Sequence, residues 1–204
     1  MGFIDSISGV LSNPRLYLIN QLLLGGMRAR KAVIEDYVKP RPCMRVLDIG
    51  CGPAYTAAYF PKPAYYGFDI SRRYIEFANR RYGSLGRFSA QLFDEAALEW
   101  LPPIDVVLML GLLHHLDDES AHRLLSLARR AMSPDGRLFT VDGFYAPGQG
   151  SVTRYVLDRD RGKFVRNQEG YVRLVRQVFG DVSVFVRKDI FHVPYPALIL
   201  ECKP

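Results

Sequence analysis

The sequence predicts an α/β fold, a mostly parallel seven-stranded sheet with helices on both faces and an N-terminal helical extension. Three observations carry this. Short apolar runs at residues 45–49, 64–70, 87–91, 104–110 and 137–141 alternate with helix-patterned segments, as parallel strands joined by crossover helices do. The run Ile104 to Leu110 is apolar almost without alternation, which fits a strand covered on both faces. The last third of the chain departs from this alternation, since a loop with Pro147, Gly148 and Gly150 leads on to two short apolar segments that read as a closing strand pair.

The elements follow in order. Leu16 to Leu24 reads as an amphipathic helix after a Ser12-Asn13-Pro14 start, broken by Gly25-Gly26. A second helix, about Arg28 to Val38, stops at Pro40 and Pro42. Arg45 to Ile49 is a short strand ending at a glycine turn, and Ala54 to Phe60 fits a helix behind it. Ala64 to Ile70 reads as the second strand, Arg72 to Tyr82 as a helix capped by Ser71, and Arg87 to Gln91 as a weak third strand. After Ile104 to Leu110 comes a helix from Asp117 to Met132, ended by the Ser133-Pro134-Asp135-Gly136 turn, and then the strand Arg137 to Val141. Ser151 to Asp158 and Asn167 to Phe179 read as helices, and Val182 to Arg187 and Ala197 to Cys202 as the closing strands.

Composition bounds the function. The chain has 204 residues and is 49% apolar, enough for a real core and too much for a disordered chain. No apolar run reaches the ~18 residues of a membrane helix, and the N-terminus lacks a secretory pattern. Met1-Gly2 with Ser6 formally matches a myristoylation pattern, which is read as coincidence. Cys43, Cys51 and Cys202 are scattered, with neither metal-ligand spacing nor a disulfide framework, so a reducing cytoplasm is expected and no metal. The net charge of +6 is spread over separate arginines with no dense basic block, which disfavours a nucleic-acid partner.

The most informative stretch is VLDIGCGPAY, Val46 to Tyr55. A glycine turn between strand and helix lets backbone approach a ligand, since no Cβ intervenes. Dinucleotide-binding folds start the same way, but their third glycine would fall at Tyr55, so that pattern fails. Asp48 sits at the strand end, where a carboxylate repels phosphate and attracts an ammonium or sulfonium group. Asp69, about 20 residues on, ends the second strand, where an acid can accept both hydroxyls of a ribose. A cationic amino-acid end joined to a ribose describes S-adenosylmethionine.

With these residues in place the sequence resembles the class I S-adenosylmethionine-dependent methyltransferases, of the small-molecule type similar to the quinone-biosynthesis enzymes. VLDIGCGPA resembles the first family motif and GFDIS the second. IDVVLMLGLLHHL resembles the fourth strand and its loop, and LARRAMSPDGRLFTVD the late motif. The resemblance implies a Rossmann-like fold in one domain, with residues 1–40 an N-terminal cap, 45–142 the cofactor-binding core, and 143–204 an acceptor-side insertion with the closing strands. It implies that Asp48, Gly50, Cys51 and Gly52 line the methionine part of the cofactor, that Asp69 binds the ribose and that Ile70 packs beside the adenine. Leu110 and Gly111 would meet the methionine end, and Arg28 would pair with its carboxylate. Relatives often carry glycine where Ala54 stands. Many also carry an acid at the end of the third strand; here Gln91, backbone near Leu92, or Asp94 after a register shift remain open for the adenine amino group.

Methyl transfer needs alignment and exclusion of water, and a base only if the nucleophile carries a proton. His114 and His115, at the carboxyl edge after the fourth strand, are the candidate bases. Asp142, Tyr145 and Tyr17 are further wall candidates, and His192 reads as structural. The loop with Tyr155, Arg159, Arg161 and Arg166 reads as shaping the acceptor pocket, its arginines able to clamp an anionic group. The expected function is transfer of a methyl group to oxygen or nitrogen of a small-molecule acceptor. The alternatives are an RNA methyltransferase and a cofactor-binding protein without transfer activity.

Overall fold

The structure is a computed structural model that describes residues 22, 24–158, 162–193 and 195–204. The Ser12-Asn13-Pro14 helix start, Tyr17, Arg159 and Arg161 lie outside these residues. Seven strands form one sheet in the order β3-β2-β1-β4-β5-β7-β6. They are β1 (Arg45–Ile49), β2 (Ala64–Phe68), β3 (Gly86–Ser89), β4 (Ile104–Leu110), β5 (Met132–Gly143), β6 (Asp181–Arg187) and β7 (Ala197–Lys203). β7 alone runs against its neighbours; the first five strands pair in parallel.

The helices are α1 (Gly26–Val33), α2 (Arg72–Tyr82), α3 (Glu95–Leu98), α4 (Asp118–Ala131), α5 (Ser151–Asp158) and α6 (Gln168–Arg176). Alternation along the strands sorts the core into two faces. Val46, Val106, Leu108, Phe139 and Val141 pack with α1 and α2 residues such as Val33 and Ala78. Leu47, Val107, Met109 and Leu138 pack with α4 and α6 residues such as Leu125 and Val175. By the same period of two, Asp48 belongs to the α1/α2 side and Asp142 to the α4/α6 side.

Side-chain caps start the helices where the sequence places them. Ser71 Oγ accepts from Tyr74 N–H (3.4 Å), Asp117 Oδ1 from Ser120 N–H (2.8 Å) and Asn167 Oδ1 from Gly170 N–H (2.8 Å). Asp105, the one acid within the apolar β4 run, takes Arg45 N–H at 2.9 Å and pairs with its guanidinium at 2.6 Å, which ties β1 to β4 at the edge away from the glycine turn.

Four expectations are corrected. The segment behind the glycine turn is only a short 3₁₀ turn, Tyr55–Tyr59, because Pro61 and Pro63 follow at once. The helix expected from Arg28 begins at Gly26, directly after Gly25 at φ 81°, and winds into a π-helical segment, Ile34–Val38. The 133–136 turn lies inside β5: Met132 pairs with Ile104, Arg137 pairs with Val106, and the residues between loop out of register. The third strand ends at Ser89, and a helix that periodicity could not reveal, α3, begins after it.

Candidate functional site

β1 lies between β2 and β4, where the strand order reverses, and in open α/β sheets ligands bind outside the carboxyl ends of the strands at such a point. The glycine turn sits there. Gly50 and Gly52 have φ 74° and 55°, and Ala54 has φ 57°. The last value explains why glycine suits that position: the backbone is left-handed, so alanine's small size does not make it neutral. Gly50 and Cys51 N–H both donate to the Phe68 carbonyl (2.8 and 3.0 Å). Asp69 receives Gly52 N–H on one oxygen and Ser71 N–H on the other, each at 2.8 Å. Its carboxyl is raised by partial burial, and these two N–H donors pull it back down. Asp69 therefore fixes the turn and keeps spare lone pairs.

Asp48 is 2% exposed, and Tyr65 OH donates to it at 2.6 Å. Burial pushes its pKa up to about 6; the Tyr65 bond and the Arg30 charge oppose this, and Asp69 adds to it. Tyr65, an ordinary core aromatic by sequence, is thus part of the site. Arg30 is a second residue that sequence reasoning passed over: its charge reaches Asp48, Tyr59 and Tyr65. Arg28 is exposed, and its charge acts on Asp189 instead. The two are two residues apart on one helix and cannot share a face. Cys51 is buried, its thiol donates to the Gly52 carbonyl at 3.5 Å, and burial holds it well above the usual thiol range, so it is a small neighbour and no nucleophile.

Beside the turn stand two apolar side chains that water should disfavour. Ile70 is 73% exposed and Leu92 70%. They follow the ends of β2 and β3, where the adenine is expected. Gln91 is exposed too. Asp94 is committed elsewhere, since it caps α3 by accepting Ala97 N–H at 3.2 Å. Tyr55 turns inward and packs edge-on against Phe77.

On the other side of β1, β4 ends at Leu110, and Gly111 (φ 74°) donates to the Val141 carbonyl at 2.7 Å. A 3₁₀ turn, Leu113–His115, follows. His114 is buried, with both its backbone N–H (3.1 Å) and its Nδ1 (2.7 Å) on Asp142 Oδ1. A carboxylate only accepts, so Nδ1 carries a proton; in the neutral ring the lone pair is then on Nε2. The pairing was within reach of the sequence: both residues follow closely on the paired positions Leu110 and Val141. Asp142 Oδ2 is buried and takes no hydrogen bond from the described residues. His115 is exposed and packs its ring on His114, centroids 4.2 Å apart.

Two glycines flank the His114 ring. A Cβ on Gly111 would stand 3.7 Å from Cε1, and one on Gly162 would overlap Cδ2. Nε2 is bonded to both of those carbons, so the two glycines approach the part of the ring that carries it. Gly162→Ala is expected to displace the ring and destabilise the fold by about 1–3 kcal/mol, as overpacking does, read as a lower denaturation midpoint at unchanged slope. Arg166, a candidate anion clamp by sequence, has every N–H committed within the protein, to Asp118 and to the Leu113, Leu116 and Phe164 carbonyls. Tyr145 OH donates to Asp158 at 2.8 Å, and His192 packs against Gly25, donating its N–H to the Leu24 carbonyl at 3.1 Å.

Residues 47–138 match the family model described as a methyltransferase domain. The chain has the Rossmann-like fold of the class I methyltransferases. An uncharacterized 37.1 kDa protein in transposon TN4556 of Streptomyces fradiae is 30% identical over 169 residues, 74% of this chain and 46% of that protein. Phosphoethanolamine N-methyltransferase of Triticum aestivum is 27% identical over 194 residues, 91% of this chain and 37% of that enzyme. The chain thus spans less than half the length of the curated relatives it matches. Phosphoethanolamine N-methyltransferase 2 of Haemonchus contortus, solved with phosphomonomethylethanolamine and S-adenosylhomocysteine, superposes with a TM-score of 0.67 at 16% identity, covering 88% of this chain and 53% of that one. The strand order of this chain sets β7 reversed between β5 and β6. No helix among the described residues is long and apolar enough to cross a membrane.

Proposed function

We propose that the chain binds S-adenosylmethionine at the carboxyl edge of β1, β2 and β4 and transfers its methyl group to oxygen or nitrogen of a small-molecule acceptor. One observation carries the reading: a buried acid, Asp48, and a half-buried acid, Asp69, end neighbouring strands around an open glycine turn. A Cβ on Gly52 would meet nothing closer than 4.0 Å, so the turn offers room for close approach. A carboxylate pair suits a cationic nucleoside and repels a pyrophosphate, and the exposed Ile70 and Leu92 supply apolar cover for a base.

The bound cofactor supplies a methyl group on positively charged sulfur. Asp48 holds the ammonium end, with Gly50, Cys51, Gly52, Leu110 and Gly111 as walls. Arg30, beside Asp48, is assigned to the carboxylate in preference to Arg28. Asp69 takes the ribose hydroxyls; Gln91 and the backbone at Leu92 face the adenine edge. His114, its tautomer set by Asp142, accepts the acceptor's proton at Nε2, with His115 beside it. The name of the wheat relative supports a small acceptor, and three free thiols support a cytoplasmic setting.

Calorimetry with S-adenosylmethionine and S-adenosylhomocysteine, followed by labelled-methyl transfer into fractionated metabolites, tests the proposal. Asp69→Ala is expected to weaken cofactor binding by about 1–3 kcal/mol, roughly 5- to 150-fold in Kd, as lost hydrogen bonds to a charged group do. Unchanged affinity removes Asp69 from the ribose site. Tight cofactor binding with no incorporation into any fraction favours a binding protein over an enzyme.

A further inference from the structure

Arg166 lies on the stretch between Gly162 and α6, and its side chain is only 12% exposed. Its guanidinium has five N–H donors, and five hydrogen bonds use them. Nε and Nη2 donate to Asp118 Oδ1 (2.9 and 2.6 Å). Nη1 donates to the carbonyls of Leu113 (3.1 Å) and Phe164 (2.9 Å), and Nη2 to that of Leu116 (2.8 Å). The three carbonyls belong to two stretches that enclose one residue. Leu113 and Leu116 bracket His114 and His115. Phe164 closes the segment whose Gly162 lies on the His114 ring, and Phe164 N–H donates to the His114 carbonyl at 2.9 Å. The Arg166 carbonyl in turn accepts Tyr145 N–H (3.1 Å), three residues past Asp142. One planar fork therefore joins the turn that carries the imidazole, the segment that covers it and the first turn of α4.

We propose that Arg166 is the positioning residue of the His114 base: it sets the imidazole against Asp142 without touching the acceptor. The proposal rests on the reading of His114 as the base. As an ion pair the exposed Asp118 contact adds little stability, but it anchors two of the five donors and so orients the fork, while the three carbonyl bonds tie the fork to the turn and its cover; no other cation reproduces a rigid five-donor fork. Lysine keeps the charge and offers three donors from a single point.

The test is Arg166→Lys, read two ways. Proton NMR of the wild-type chain is expected to show a low-field Nδ1–H resonance from the buried imidazole–carboxylate bond, assigned by its loss in His114→Asn. In Arg166→Lys that resonance is expected to vanish into exchange with water. Methyl transfer at saturating cofactor is expected to fall by about tenfold to a hundredfold, as small misplacements of a reacting group do, with S-adenosylhomocysteine affinity unchanged. Should the lysine variant fail to fold, Asp118→Ala frees one end of the fork from a surface position and is expected to speed exchange of the same resonance. Retention of the wild-type resonance and exchange rate in these variants overturns the proposal, as does its absence from the wild-type spectrum. A chain that transfers no methyl group sinks the base reading alone, because the imidazole resonance still reports whether Arg166 sets the ring.

Discussion

His114→Ala is expected to cut methyl transfer to a hydroxyl acceptor by about 10²- to 10⁴-fold, the usual worth of a positioned general base, with cofactor affinity nearly unchanged. The split follows from where the ring sits. It is buried on the α4/α6 side of the sheet, paired to Asp142, whereas the carboxylates proposed to hold the cofactor lie at the tips of β1 and β2. Asp142→Asn should cost a comparable factor with the ring still in place. An asparagine amide can donate to Nδ1, which moves the imidazole proton to Nε2 and removes the lone pair there. His115→Ala should cost much less, because that ring is exposed and only packs against its neighbour. Rates at saturating cofactor across pH, with calorimetry for affinity, check all three. Normal turnover in His114→Ala assigns the proton to another group; equal losses in both histidine variants make the pair a unit.

The chain order of strands and helices was legible because its signals are local. Periodicity separates β4 from α4, and Ser71, Asp117 and Asn167 are side-chain caps readable one residue at a time. The glycine turn and its two acids were legible for the same reason: each lies at a strand end marked by composition. What escaped depends on distance in sequence. Tyr65 reads as core filler until the β1–β2 register sets it beside Asp48. Arg30 and Arg28 are equivalent cations until α1 packs and only Arg30 comes within reach of the carboxylate. Arg166 reads as a clamp for an anionic acceptor until three carbonyls from two other stretches converge on it. The four-residue α3 is too short for periodicity, and only its Asp94 cap announces it.

The two carboxylates also carry a cost. Asp48→Asn is expected to make the unliganded chain more stable at neutral pH and to weaken cofactor binding by about tenfold to a hundredfold, the worth of one charge-assisted contact. Burial raises the Asp48 pKa to about 6 in the folded chain, against ~3.9 when unfolded. A folded-state pKa raised in this way means that the native chain holds the proton more tightly. Stability from that proton is fully present below pH ~4, is lost as pH rises through about 6, and amounts to roughly 3 kcal/mol for a shift of two units. Asparagine carries no such charge and still accepts the Tyr65 hydroxyl, although its amide needs a new acceptor, so about 1–2 kcal/mol of the difference should be realised. For a chain of this size that is about 2–8 °C in Tm. The variant should therefore melt with the wild type near pH ~4.5 and above it by pH ~7.5. Wild-type cofactor affinity should fall in the opposite sense, as acid below pH ~6 protonates the carboxylate that attracts the ammonium group. A melting difference that stays flat with pH shows that Asp48 does not titrate in the folded chain as its burial demands. An asparagine variant that binds S-adenosylmethionine as tightly as wild type takes this acid out of the cofactor site.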